Sequence, residues 1–302
     1  MARSLTEITD FSADEIKEIM RMAGEMKTGQ SAPRPLDGKA AALIFAKPSL
    51  RTRVSFEVGV GQLGGSGLYI TDDEVGLGKR ESIADVAEVL SRYVDLIMIR
   101  TFEHDHVVQL AKYASVPVIN GLTDLVHPCQ VLCDYFTIIE HRPKLERPKV
   151  AYLGDGNNMA NSWLNLAARI PLELRIGTAS TTQPSDQILN KAKANGDSEI
   201  LVTDDPKEAI LGADVVYTDV WASMGQKNES EIKSEILEKY QVNSSLLAGA
   251  NPDCLVMHCL PAERGREITD EVMDGPHSIV FDQAENRLHG QKAIMVFLLT
   301  SS

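Results

Sequence analysis

Lys47-Pro48-Ser49-Leu50-Arg51-Thr52-Arg53 is the stretch around which this chain is organised. It follows the apolar run Ala40–Ala46 and precedes an amphipathic segment that begins near Leu50. A strand, a tight turn and a helix start in that order leave backbone N–H groups at the positive end of a helix dipole. The hydroxyls and guanidinium groups of the stretch add further donors. The stretch therefore predicts a site for a phosphate-sized dianion, although a simple helix cap beside two solvated arginines is an open alternative.

Length and composition restrict the class of protein. A chain of 302 residues exceeds the size at which one hydrophobic core usually stops growing, so two domains are expected. The net charge of −13 argues against a nucleic-acid or anionic-membrane partner, because such partners favour a basic face. The four cysteines are too scattered for a disulfide scaffold and lack zinc-ligand spacing. The first residues contain no apolar export segment, so a cytoplasmic location is expected.

Strand and helix patterns alternate along both halves of the chain. Predicted strands in the first half cover 40–46, 68–70, 95–100 and 117–120, with helices at 82–94, 105–115 and 129–141. Predicted strands in the second half cover 149–154, 172–178, 199–203, 214–218, 254–259 and 278–282, before a last helix at about 285–299. Alternation of this kind is typical of parallel sheets with helices on both faces.

Most of the conspicuous polar residues follow a predicted strand. In open parallel sheets, ligands bind at the carboxyl ends of the strands. The residues at these positions are Ser49 to Arg53, Arg100, His127, Asn157, Asn158, Asp219, Cys259 and Leu260. Each of them has a structural explanation by itself: Arg100 could pair with a carboxylate, and Cys259 could be a buried thiol. Their common position favours a functional site.

Three motifs carry a family resemblance. They are His127-Pro128-Cys129-Gln130, Ser223-Met224-Gly225 and His258-Cys259-Leu260-Pro261. Together with the arginine turn, they resemble the aspartate/ornithine carbamoyltransferase superfamily over about residues 5 to 300. The last two motifs are similar to those of the members that use ornithine, whereas the members that use aspartate resemble His-Pro-Leu-Pro at the position of Cys259.

The resemblance implies an α/β fold of two Rossmann-like domains, each a parallel sheet flanked by helices. The carbamoyl-phosphate-binding domain would cover 1–142, and the C-terminal helix 285–302 would return to it. The ornithine-binding domain would cover 148–284. Two prolines and a cluster of charges in 141–148 agree with a boundary there.

The resemblance also implies an activity, which is transfer of the carbamoyl group of carbamoyl phosphate to the side-chain amine of L-ornithine. The products would be L-citrulline and phosphate, in arginine biosynthesis rather than catabolism. The implied catalytic residues are Arg51, Arg100, His127, Asp219 and Cys259. The implied contacts of carbamoyl phosphate are Ser49, Leu50, Arg51, Thr52, Arg100, His127, Gln130, Cys259, Leu260 and Arg287. The implied contacts of ornithine are Asn158, Asp219, Ser223 and Met224.

No metal or other cofactor is needed for the implied reaction, and a homotrimer or a multiple of trimers is implied. Two positions depart from the family pattern. Leu50 replaces the first Thr of Ser-Thr-Arg-Thr-Arg, which removes a hydroxyl but keeps the backbone N–H. Gly76 stands where relatives often carry a Gln that reaches a neighbouring subunit, and Lys79 or Arg80 could substitute for it.

Other functions compete with this interpretation. Another carbamoyl acceptor, such as putrescine or N-acetylornithine, would keep the same chemistry. A two-domain amino-acid or anion binding protein would have no catalysis at all. A nicotinamide site at Gly154–Ala160 is disfavoured, because its third small residue comes one position late and no acidic residue ends the next predicted strand.

Overall fold

The computed structural model describes residues 2–78, 80–221 and 227–300, with the backbone alone at 227–230. The chain divides into two compact units. The first unit combines residues 1–136 with 285–302, and the second comprises 137–284. The C-terminal helix from Glu285 onward therefore belongs to the first unit.

Nine strands and thirteen α-helices make up the regular structure of the described residues. The strands are β1 (Ala40–Phe45), β2 (Ser66–Thr71), β3 (Leu96–Arg100), β4 (Val118–Leu122), β5 (Lys149–Leu153), β6 (Glu173–Gly177), β7 (Glu199–Thr203), β8 (Val215–Thr218) and β9 (Leu255–His258). The helices are α1 (Ala13–Lys27), α2 (Leu50–Gln62), α3 (Asp72–Val75), α4 (Ile83–Leu90), α5 (His104–Tyr113), α6 (Pro128–His141), α7 (Asn158–Ala167), α8 (Asp186–Asn195), α9 (Pro206–Ile210), α10 (Lys227–Leu237), α11 (Ser244–Leu247), α12 (Asp270–Met273) and α13 (Val280–Thr300).

The first unit contains a four-stranded parallel sheet in the order β2-β1-β3-β4. Its central strands β1 and β3 are apolar and almost completely buried, as expected for strands covered on both faces. Leu5 pairs with Ile119 and so extends the sheet beyond β4. The other edge, β2, is partly exposed. Because all strands are parallel, the segments after β1, β3 and β4 come together at one edge of the sheet.

The second unit contains a five-stranded parallel sheet in the order β7-β6-β5-β8-β9. Its core includes Trp163, Tyr152 and Tyr217, which are fully buried and in ring contact. The segments after β5, β8 and β9 therefore lie at one sheet edge. The predicted α/β class with parallel sheets is confirmed in both units.

Local capping explains where the key helices begin. Ser12 and Glu15 form a reciprocal capping box at the start of α1. Ser49 is the N-cap of α2 and accepts a hydrogen bond from Thr52 N at 3.3 Å. Asn157 caps α7 in the same way through Met159 N. The caps of α2 and α7 place polar side chains beside free helix N–H groups at the carboxyl ends of strands.

The prediction of a strand at 278–282 was wrong. Ser278 forms only an isolated bridge with Val256, and α13 already begins at Val280. Short apolar runs do not distinguish a strand from a buried helix, and Ile279-Val280-Phe281 was such a run. The charged loop at 72–80 also contains the short helix α3. None of the helices in the described part of the chain has both the length and the apolar character needed to cross a membrane.

Candidate active site

In the first unit, two guanidinium groups converge on one buried hydroxyl. Thr52, in the first turn of α2, is 1% exposed. Its Oγ1 accepts hydrogen bonds from Arg100 Nη1 at 3.4 Å and from Arg287 Nη2 at 3.3 Å. Arg100 ends β3, and Arg287 comes from α13, 235 residues away from Thr52. We call Ser49, Thr52, Arg100, His127, Gln130 and Arg287 the cation cluster.

His127 stands directly before α6 and is nearly buried. Burial, followed by the charges of Arg287, Arg100 and Lys47, keeps its pKa well below the ordinary value for histidine. A neutral imidazole has one N–H donor and one acceptor nitrogen. His127 can therefore donate a hydrogen bond to a ligand oxygen without adding a further charge.

Gln130 has both ends of its amide engaged inside the first unit. Its Oε1 accepts a hydrogen bond from Arg287 Nη1, and its Nε2 donates to Asp134 Oδ1 at 2.8 Å. Asp134 is fully buried on α6. The sequence prediction gave Gln130 to the ligand, whereas the structure shows that it also links Arg287 to a buried carboxylate.

The side chains of Leu50, Arg51 and Arg53, in the stretch quoted at the start, differ in burial and in direction. The Leu50 side chain is 74% exposed, so it leaves the cation cluster while its N–H stays in the first turn of α2. Arg51 is partly buried in the same turn. Arg53 turns outward, because its guanidinium lies 3.8 Å from the centre of the Tyr69 ring and pairs with Glu57. Arg53, which the resemblance did not include among the contacts of carbamoyl phosphate, is therefore directed away from the cation cluster.

Lys47 is a buried cation of this region that sequence reasoning passed over. Its side chain is 8% exposed, and its Nζ lies 3.0 Å from Asp124 Oδ1 and 5.2 Å from the centre of the Phe102 ring. It contributes to the lowered pKa of His127. Its place next to Pro48, within the quoted stretch, was the only available indication.

In the second unit, Asp219 organises a network of polar side chains. Its Oδ1 accepts a hydrogen bond from Cys259 Sγ at 2.9 Å, and its Oδ2 accepts one from Asn157 Nδ2 at 3.0 Å. Tyr152 donates to Asn157 Oδ1 at 3.1 Å, which fixes the orientation of that amide. Burial raises the pKa of Tyr152, with a further contribution from nearby carboxylates, so the phenol remains a donor. We call Tyr152, Asn157, Asp219 and Cys259 the carboxylate cluster.

The predicted ligand Asn158 is the first residue of α7 and is partly exposed beside the capping residue Asn157. Ser223, Met224 and Lys79 lie outside the described residues. Arg80 is exposed. Gly76 has a left-handed backbone (φ 55°) at the end of α3.

The turn after β9 rests on a buried pair of side chains. His258 Nε2 lies 3.0 Å from Glu267 Oε1, and both side chains are fully buried. His258 Nδ1 lies 2.9 Å from Leu260 N, so it accepts the backbone hydrogen bond. The proton of this imidazole is therefore on Nε2. Leu260 has a left-handed backbone (φ 57°), an uncommon conformation for its residue type.

Asp219, His258 and Cys259 also have the residue types of a metal site, and each can bring one ligand atom within 4.8 Å of the others. However, both ring nitrogens of His258 already have hydrogen-bond partners. This leaves only a carboxylate and a thiol as ligands. The group is better described as a hydrogen-bonded network than as a metal centre.

The glycines after β5 have a packing role. A Cβ atom on Gly156 would lie 2.3 Å from Thr182 O and 2.4 Å from Pro184 N. In a dinucleotide-binding turn, a glycine leaves space for the cofactor to approach the backbone. Here the backbone of residues 182–184 fills that space. The structure agrees with the rejection of a nicotinamide site.

Taken together, the fold and the two clusters define the class: an α/β protein with one polar cluster at the carboxyl edge of each of its two parallel sheets. One parallel sheet ends in buried guanidinium groups and a neutral imidazole, a combination suited to a phosphorylated carbonyl compound. The other ends in a carboxylate beside a thiol, suited to an amine.

Comparison with known proteins defines the family. The model of the aspartate/ornithine carbamoyltransferase carbamoyl-P binding domain matches residues 3–140, and the Asp/Orn binding domain model of the same family matches 146–298. The chain belongs to the aspartate/ornithine carbamoyltransferase family.

Individual relatives cover almost the whole chain. The chloroplastic ornithine carbamoyltransferase of Pisum sativum is 51% identical, over 97% of this chain and 79% of the pea protein. The ornithine carbamoyltransferase of Syntrophus aciditrophicus is 49% identical, over 99% of this chain and 100% of that protein. The solved structure of ornithine carbamoyltransferase from Pyrococcus furiosus is 46% identical and matches with a TM-score of 0.93, over 100% of this chain and 98% of the other.

Proposed function

We propose that this protein is an enzyme that transfers the carbamoyl group of carbamoyl phosphate to the side-chain amine of L-ornithine, giving L-citrulline and phosphate. The observation that carries the proposal is the cation cluster, in which Arg100 and Arg287 converge on Thr52 beside a neutral His127. Relatives about half identical over nearly the full chain are named ornithine carbamoyltransferases, which supports ornithine as the acceptor.

In this proposal, the first unit is the carbamoyl-phosphate-binding domain. The phosphate dianion receives hydrogen bonds from Ser49, the N–H group of Leu50, the guanidinium group of Arg51 and the guanidinium groups of the cluster. The neutral imidazole of His127 donates to the carbonyl oxygen. As the amine attacks, negative charge grows on that oxygen, and His127, Thr52 and Arg100 stabilise it. The groups are held in place before the reaction, so little reorganisation is required.

The second unit is proposed to be the ornithine-binding domain. Asp219 pairs with an ammonium group of the substrate, and Asn158, Ser223 and Met224 contact the amino acid. Cys259 orients the attacking side-chain amine, and the Leu260 carbonyl accepts from the amide of the carbamoyl group. The amine must lose a proton before attack, because its ordinary pKa is about 10.4, as for lysine. We assign this first proton to solvent. Once the C–N bond has formed, the nitrogen loses a second proton to the phosphate, which departs as the bond between the carbonyl carbon and the phosphate oxygen breaks, so no cofactor takes part.

A direct assay tests this function. Purified protein with carbamoyl phosphate and L-ornithine should form citrulline and phosphate in equal amounts. Putrescine, N-acetylornithine and aspartate, assayed in parallel, should each react at least about 100-fold more slowly, because they lack groups that the second unit recognises. Absence of citrulline from folded protein would reject the proposal, and faster turnover of putrescine or N-acetylornithine would reassign the acceptor.

The Arg51→Ala variant separates an enzyme from a non-catalytic binding protein. An enzyme should lose turnover by about 100-fold or more when a phosphate ligand is removed. A binding protein has no turnover in either form. Two further expectations stay predictions. One is the biosynthetic direction of the reaction, which the ratio of the rates of citrulline synthesis and citrulline phosphorolysis would measure. The other is the cytoplasmic location.

We also propose a homo-oligomer, a trimer or a multiple of trimers. Three apolar residues recur every fourth position along α2 and are exposed, Leu50 at 74%, Val54 at 47% and Val58 at 43%. Leu68, on the edge strand β2 against which α2 packs, is 49% exposed. An apolar row beside an open sheet edge is typical of a surface that associates. We infer that second copies of this chain cover it.

A further inference from the structure

Arg287 is a buried guanidinium group with hydrogen-bond partners on α2, α6 and α13. It is 4% exposed, and four of its five N–H groups have partners among the described residues. One Nη1 N–H donates to Gln130 and one Nη2 N–H to Thr52. The other two N–H groups, one on Nε and one on Nη2, both donate to one oxygen, that of the Gln291 amide.

Gln291 is fully buried one turn after Arg287 on α13. With its amide oriented by its neighbours, Oε1 accepts from Arg287 Nε at 3.1 Å and from Nη2 at 2.7 Å. Its Nε2 donates to Ser55 Oγ at 2.6 Å and to the Arg287 carbonyl oxygen at 3.1 Å. Every donor and acceptor direction of this amide is used within the first unit.

Ser55 connects this amide to the anion-binding turn. Its Oγ donates to the Arg51 carbonyl oxygen at 2.6 Å, in the first turn of α2. A continuous series of hydrogen bonds therefore runs from the Arg287 guanidinium through Gln291 and Ser55 to the backbone of Arg51. It fixes one cation of the cluster relative to the helix that carries Thr52.

We propose that Gln291 is a positioning residue for carbamoyl phosphate, acting through Arg287. It fixes the guanidinium plane, so that the remaining Nη1 N–H is kept for the anion. This inference rests on the proposed function. Without the Gln291 oxygen, two buried N–H groups lose their acceptor, and the guanidinium must turn away from the cluster or recruit water. Binding of the anion should weaken, while binding of the amino acid, in the second unit, should not.

The first experiment measures both Michaelis constants of Gln291→Met, a variant of similar size without hydrogen bonds. The KM for carbamoyl phosphate should rise about tenfold or more, because hydrogen bonds to a buried charge are lost, whereas the KM for ornithine should stay within about twofold. Gln62→Met is the matched control. Gln62 also joins α2 to α13, through Lys292 Nζ at 2.8 Å, but it has no contact with Arg287. Its KM values should not change.

A double-mutant cycle distinguishes positioning from general destabilisation. If Gln291 acts through Arg287, Gln291→Met should raise the KM for carbamoyl phosphate in the wild-type background and have no further effect in Arg287→Met. An equal rise in both backgrounds, or none in the wild type, would overturn the proposal.

Inorganic phosphate provides a readout that does not depend on turnover. Calorimetry should give a dissociation constant about tenfold higher for Gln291→Met than for the wild type. If that variant does not fold, Ser55→Ala, which removes the hydroxyl that joins the Gln291 amide to the Arg51 carbonyl oxygen, should weaken phosphate binding less but in the same direction. A wild type that binds phosphate without forming citrulline would reject the proposed function alone, and unchanged phosphate binding in the variants would reject the role of Gln291.

Discussion

At the scale of single residues, the reaction proposed for the first unit depends on a histidine that carries no charge. His127 is surrounded by cations that would repel an imidazolium, and burial acts in the same direction. As a neutral donor, it can strengthen its hydrogen bond as the carbonyl oxygen becomes negative. The same environment makes folding sensitive to pH.

The sign of that dependence follows from linkage. The unfolded chain protonates His127 near pH 6.5, whereas in the folded protein its pKa is well below that value. Below about pH 6.5 the unfolded state therefore binds one more proton, and this residue alone removes about 1.4 kcal/mol of unfolding free energy per pH unit. Above that pH it has no effect.

Urea unfolding of the wild type and of His127→Asn between pH 5 and 8 measures this contribution. The two stability curves should run parallel above pH 7, and the wild-type curve should fall more steeply below pH 6.5. Parallel curves over the whole range would show that the imidazole is accessible to protons in the folded protein. Because carboxylates elsewhere in the chain also titrate at low pH, the difference between the curves is the relevant quantity.

At the scale of the elements, the close approach of α13 and α6 fixes Arg287. Gly290 provides the space, since a Cβ atom there would lie 2.5 Å from Cys133 Sγ. Burial raises the pKa of the Cys133 thiol, so it packs as a small neutral group. A glycine in the middle of a helix is otherwise unfavourable, which indicates that this contact retains it.

Gly290→Ala should therefore destabilise the protein by about 1–3 kcal/mol through overpacking. Adding Cys133→Ala should restore much of this loss, because it removes the colliding sulfur. Gly61→Ala is the control, since its Cβ would meet nothing within 4 Å in α2, and it should be neutral or slightly stabilising. The melting temperatures of the wild type, Gly290→Ala, the double variant and Gly61→Ala give their order of stability. An unchanged melting temperature for Gly290→Ala would show that the helices can move apart at little cost.

Elements were easier to predict than contacts between them. Short continuous apolar runs located most of the strands, because buried parallel strands have this pattern. It failed at Val280, where a helix begins inside such a run. The convergence of Arg287 on Thr52 had no local indication, because it joins residues 235 positions apart. The contacts of Gln130 with Arg287 and of Arg53 with Tyr69 were equally unpredictable, since these partners come from other elements. The pairs Gln130–Asp134 and Arg53–Glu57 are local, four residues apart on one helix.

At the scale of the whole molecule, the exposed row on α2 predicts self-association. A charge placed in an apolar interface is costly, so Val58→Glu should shift the protein toward monomers in sedimentation velocity. Val108→Glu is the matched control, because Val108 is 42% exposed and Val58 is 43% exposed. That control should keep the assembly of the wild type. A monomeric wild type, or an equal effect of the two charges, would contradict the proposed interface.

The discontinuous composition of the first unit has a consequence for biosynthesis. This unit includes the part of α13 from Glu285 onward, whereas the second is built from the uninterrupted segment 137–284. On the ribosome, the second unit therefore has all of its residues available before the first unit does. The first unit has to wait until its residues from 285 onward emerge, because Ile294, Met295 and Leu298 of α13 are buried in the folded protein. A nascent chain stalled before residue 285 would leave the apolar surface that these side chains cover open to chaperones.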